Sequence, residues 1–134
     1  MTGLVLKLNP RERVLVNGAV IENGDRRSKL AIITPNANIL RLRDAIRPDQ
    51  VTTPVRRVCY IAQLVLSGDA EEETARDQFL KGIHQLSQAL MDQDSHEKLA
   101  AARAAAEAGD FYRAMKAVRA LLPREEALLA HRLA

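Results

Sequence analysis

The dipeptide Asn17-Gly18 constrains what this chain can fold into more than any other feature. Both residues accept a positive φ, so the pair suits the two central positions of a type I′ turn, and it lies between the apolar runs Val14-Leu15-Val16 and Ala19-Val20-Ile21. A β-hairpin is therefore predicted. Upstream, Leu4, Leu6 and Leu8 alternate with Val5 and Lys7, the period of two of a strand with one buried face, until Asn9-Pro10 breaks it. A second turn is predicted at Asn23-Gly24, followed by strands over Leu30-Ala31-Ile32-Ile33 and Ile39-Leu40-Arg41-Leu42. About five short antiparallel strands give residues 1–50 the form of a small β-sandwich or a partly closed barrel.

Beyond residue 50 the period changes. Thr53 can cap a helix and Pro54 suits its first position; Val55, Val58, Cys59, Ala62, Val65 and Leu66 then recur at helical spacing up to Gly68. Glu71, Glu72 and Glu73 favour the start of a second helix, whose apolar stripe is Phe79, Leu80, Ile83, Leu86 and Leu90. Asp94-Ser95-His96-Glu97 reads as a capping box for a third, Ala-rich helix ending near Gly109. Asp110 caps a fourth, with Phe111, Ala114, Met115, Val118, Leu121 and Leu122 on its buried face, and Pro123 ends or kinks it before a short helix over 125–133. Residues 51–134 thus form an antiparallel helical bundle, and the whole is an α+β chain packed as one unit.

Chemistry is poorly provided for. His84, His96 and His131 fall in different helices with no metal-binding spacing, and neither a dinucleotide fingerprint nor a phosphate loop is present. The lone Cys59 sits in an apolar pattern and reads as packing. No catalytic residue, metal or cofactor is expected. No apolar run approaches the ~20 residues that span a bilayer, and Met1-Thr2-Gly3-Leu4 does not open a secretion signal, so a cytoplasmic protein is expected. Oligomeric state is left open.

Charge is unevenly placed. Residues 1–67 hold eleven basic and five acidic side chains, a surplus of +6, whereas residues 68–134 hold nine and twelve. Arg11 and Arg13, and again Arg41 and Arg43, are two residues apart and should share a sheet face. Arg26, Arg27 and Lys29 occupy the turn region after the hairpin, and Arg56 and Arg57 lie in the first turn of a helix, where cations oppose the dipole. Any one cluster could be a solvated face. Together these nine side chains are the candidate contacts for the phosphates of an RNA. Only Tyr60 supplies an aromatic ring to this half, so recognition would lean on arginine planes and RNA shape.

The ordered set Leu6-Lys7-Leu8-Asn9-Pro10-Arg11-Glu12-Arg13, Asn17-Gly18-Ala19-Val20-Ile21-Glu22-Asn23, Arg26-Arg27, Ile39-Leu40-Arg41, Thr53-Pro54-Val55-Arg56-Arg57 and Ala108-Gly109-Asp110-Phe111-Tyr112 resembles the FlbT family. The resemblance runs through the chain as far as the segment Leu122–Ala134. It implies a bacterial post-transcriptional regulator that binds the 5′ untranslated region of flagellin mRNA and represses its translation, opposed by a small FlaF-type flagellar partner. It assigns no RNA-contacting residues. The alternative is a protein adaptor that binds flagellin or a flagellar assembly factor and affects RNA indirectly.

Overall fold

The computed structural model describes residues 3–133, so Met1, Thr2 and Ala134, named in the readings of the two ends, lie outside the described residues. Five strands come first: β1 (Leu4–Leu8), β2 (Arg13–Val16), β3 (Ala19–Glu22), β4 (Ser28–Ile32) and β5 (Ile39–Arg41). The hairpin forms as its turn residues require, with Asn17 at φ 46° and Gly18 at φ 88° and Val16 opposite Ala19. β2 is central in an antiparallel sheet of order β3-β2-β5. β1 instead pairs with β4, antiparallel, from Leu4 opposite Ile32 to Leu8 opposite Ser28. Leu6 and Leu8 of one sheet and Val14 and Ile39 of the other share one buried cluster, so the two sheets face a common core with no closed barrel.

The turn expected at Asn23-Gly24 is displaced to a bend at Asp25-Arg26, and neither Asn23 nor Gly24 takes a positive φ. Asn23 works as a staple instead. Its Nδ2 donates to the carbonyls of Asn9 (2.8 Å) and Arg26 (2.9 Å), and its Oδ1 accepts from the Ser28 hydroxyl (2.7 Å). One amide thus ties the end of β1 to the start of β4 and satisfies backbone groups that no strand partner reaches. The strand expected over 30–33 ends at Ile32, leaving Ile33 78% exposed.

Two 3-10 turns, Leu42–Asp44 and Pro48–Gln50, lead into the helices. Gln63 fastens this connection: its Oε1 accepts from the Ile46 amide (2.7 Å) and its Nε2 donates to the Ile46 carbonyl (2.9 Å). The helices are α1 (Pro54–Leu66), α2 (Glu72–Ala89), α3 (Gln93–Glu107), α4 (Phe111–Arg119) and α5 (Leu122–Leu133). Val58, Cys59, Phe79, Ile83, Leu99, Ala102, Phe111 and Val118 build their core, with Phe79 and Phe111 meeting edge to face at 6.2 Å. A β-carbon on Gly82 of α2 would lie 2.6 Å from Val58 Cγ2, so glycine is what lets α1 and α2 approach so closely.

Three helix boundaries differ from expectation. The cap of α3 is Asp92, whose carboxylate accepts from the Ser95 amide (3.0 Å) and hydroxyl (2.7 Å); Asp94 lies inside the helix and pairs with Lys98 one turn on. α4 stops at Arg119, and α5 begins at Leu122 instead of 125. Pro123 therefore occupies a first helical turn, where its missing N–H costs nothing. Glu125, buried on α5, accepts from the Val55 amide (2.9 Å) and so caps α1 from outside, alongside Thr53, which accepts from the Arg56 amide (3.3 Å). That carboxylate counters the cationic first turn of α1.

Candidate nucleic-acid interface

Because Leu6 and Leu8 point inward, strand alternation turns Lys7 outward, and the β1–β4 register sets Lys7 directly opposite Lys29. Directly opposed like charges destabilise a strand pair. Arg27 precedes β4, and Arg41 and Arg43 complete an open depression of about 620 Å³ over this face. A smaller depression of about 190 Å³ shares Arg41 and Arg43 and continues to α4, where Tyr112, Lys116 and Arg119 border it. Tyr112 also packs against both hydrophobic clusters. Seven cations therefore follow one another across the seam between sheet and bundle, and among the described residues the one carboxylate on the walls is Asp44.

Arg41 holds this region together. Its Nε donates to Glu12 Oε2 (2.6 Å), and its Nη2 donates to Glu12 Oε1 (2.7 Å) and to the Lys7 carbonyl (2.6 Å). The bond to Lys7 joins β5 to β1 and so ties one sheet to the other. The hydrogen bonds from Arg41 keep the Glu12 carboxyl down at about 2, and those to Glu12 raise Arg41 in turn. Arg41 was expected among the phosphate contacts; its side chain is 10% exposed and its fork is occupied by Glu12. Arg43, half-exposed, is 3.7 Å from the same carboxylate.

The other expected residues are dispersed. Arg11 stands in a turn at φ 61°, not on a strand, and pairs with Asp25 (2.5 Å) and Glu22 (3.6 Å); Arg13 donates to Glu22 (2.8 Å) and holds that carboxyl below its usual range. These two do converge, on acids that neutralise them. Arg26 is exposed in the bend after the hairpin. Arg56 donates to the Thr52 hydroxyl (3.3 Å), and Arg57 lines a separate groove between α1 and α2. Among the described residues Lys7, Arg26, Arg27, Lys29, Arg57 and Lys116 form no ion pair.

Lys7, Lys116, Arg119 and Tyr112 were not singled out from the sequence as site residues. Tyr112, Lys116 and Arg119 fall at i, i+4 and i+7, one helix face, but what that face meets is not a local property. Lys7 needed the β1–β4 register. Cys59 is buried, and its thiol is pushed up to about 12 by desolvation. Among the described residues no group of three His, Cys, Asp or Glu could hold a metal ion, and no helix is long and apolar enough to cross a membrane.

The profile of the family described as "Flagellar protein FlbT" matches residues 4–129, reaching well into α5. The chain is 30% identical over 128 residues to the flagellum biosynthesis repressor protein FlbT of Caulobacter vibrioides (strain ATCC 19089 / CIP 103742 / CB 15), covering 96% of this chain and 90% of that one. It is 32% identical over 125 residues to the probable flagellum biosynthesis repressor protein FlbT 1 of Bradyrhizobium diazoefficiens, covering 93% and 84%. A similar protein of Agrobacterium fabrum is 28% identical, covering 96% and 85%. No solved structure matches the chain at a significant level.

Proposed function

The chain belongs to the FlbT family of flagellar proteins, and from that premise we propose that it represses flagellum biosynthesis after transcription, holding the 5′ untranslated region of flagellin mRNA in the basic groove. The observation that carries this reading is the unbroken series of cations Lys7, Arg27, Lys29, Arg43, Lys116 and Arg119 along two adjoining depressions. Lys7 facing Lys29 costs the sheet stability that a bound phosphate would return. Arg41 and Glu12 belong beneath the groove as its scaffold, and Arg11 and Arg13 outside it. Occupying the leader would keep ribosomes from it.

The test measures leader-RNA affinity against salt concentration. Lys7→Ala with Lys29→Ala should weaken binding and lower the salt slope by about 0.7 for each single-strand phosphate no longer neutralised. Arg11→Ala with Arg13→Ala should change neither. Equal effects from the two double variants would remove the groove as the interface.

A second reading, an adaptor for flagellin or for a FlaF-type factor, is favoured by the groove between α1 and α2. Val58, Ile61 and Leu86 line it, Arg57 and Lys81 stand beside them, and among the described residues no carboxylate does, which suits an acidic amphipathic segment. Binding of purified flagellin that survives nuclease and is lost in Arg57→Glu/Lys81→Glu would support it.

A further inference from the structure

We propose that the smaller depression between β5 and α4 receives one unstacked guanine of the bound RNA; this rests on reading the groove as an RNA site. At about 190 Å³ it is well below the roughly 300–1,000 Å³ of pockets that take whole small ligands, so it suits a single ring system. Leu40, Leu66 and Met115 form an apolar floor, and Tyr112 adds an aromatic wall. Single-stranded RNA is read by splaying bases into such sites, where they stack on aromatic rings. The neighbouring depression, which shares Arg41 and Arg43 on its wall, would hold the flanking phosphates.

The polar groups at the mouth choose the base. The Asp44 carboxylate, about a quarter exposed, lies on this rim with Oδ1 3.3 Å from Arg119 and 3.9 Å from Arg43. A fixed, partly buried carboxylate accepts hydrogen bonds and donates none. Guanine carries two adjacent donors, N1–H and the N2 amino group, on one edge. Uracil would set carbonyl oxygens beside the carboxylate, and adenine and cytosine each set a ring acceptor beside their amino group. Lys116, on the same rim, supplies the cation that guanine O6 and N7 accept.

The experiment uses the full chain and single-stranded oligoadenylates carrying one central guanosine, inosine, adenosine or uridine. Inosine lacks only the N2 amino group, so the wild-type protein should bind the guanosine strand at least about fivefold more tightly than the inosine strand. Asp44→Asn should erase that gap. Equal affinity for all four strands, with strong salt dependence retained, overturns the guanine site and leaves the RNA reading standing. Absence of binding to these strands and to leader RNA at low salt overturns both.

Discussion

Replacing Glu12 with glutamine removes one negative charge and almost no volume. In the folded chain that carboxylate accepts from Arg41 Nε and Nη2 and from the Asn9 amide (3.0 Å), with its side chain 6% exposed. Glutamine offers one acceptor oxygen where there were two and turns an NH₂ toward a guanidinium that can only donate. Two routes give the cost. Displacement of the Glu12 carboxyl from 4.5 to about 2 corresponds to roughly 3 kcal/mol at about 1.4 kcal/mol per tenfold change in proton affinity. Breaking one side of a buried ion pair costs about 3–5 kcal/mol, because the other charge stays buried. With a urea m-value of about 1.5 kcal/mol/M, the unfolding midpoint should fall by about 2 M. Glu12→Leu with Arg41→Met leaves the Lys7 carbonyl and the Asn9 amide without these partners but strands neither charge of the pair, so the double variant should be more stable than the sum of the single losses implies. Urea titration of the wild type, Glu12→Gln, Glu12→Leu, Arg41→Met and the double variant settles the point. A Glu12→Gln loss under about 1 kcal/mol, or strictly additive losses, would falsify the clasp.

Acid should find the same weakness. Glu12 gives up its proton more readily folded than unfolded, so its contribution is complete above about pH 4.5 and is lost as pH falls through about 2; Glu12→Gln should flatten stability measured across that window. Gly82→Ala should destabilise by about 1–3 kcal/mol through overpacking against Val58, partly recovered by Val58→Ala in the same chain, as thermal unfolding would report. The Cys59 thiol, fully buried and pushed up to about 12, should react with thiol reagents only as fast as the fold opens, which mass spectrometry in graded urea can follow.

What could be read from the sequence was what neighbouring residues decide. Asn17-Gly18 made its turn because two φ angles are a local matter, and Asp110 capped α4 because its carboxylate accepts from an amide three residues on (3.0 Å). The cap of α3 is misread from the sequence as Asp94, because the capping-box pattern fits there; Asp92 takes that place by accepting from both groups of Ser95. Pairing of β1 with β4 depends on residues twenty or more positions apart, and that pairing put Lys7 into the groove. Likewise the basic surplus lies in residues 1–67, yet the groove takes Lys116, Arg119 and Tyr112 from the net-acidic half because α4 packs against the sheets. Arg41 and Arg43 looked equivalent at a spacing of two. Burial against Glu12 separated them, making one a fastener and leaving the other on the surface.

The facing ammonium groups of β1 and β4 also limit how this protein can be engineered. An acid in place of either would turn repulsion into attraction worth about 0.2–1 kcal/mol and yield a hardier molecule. The same exchange would take two units of positive charge out of the field over the seam. A screen that ranks variants by heat tolerance would therefore promote chains whose grip on polyanions is weaker, and melting temperature would mislead as a proxy for competence at this position.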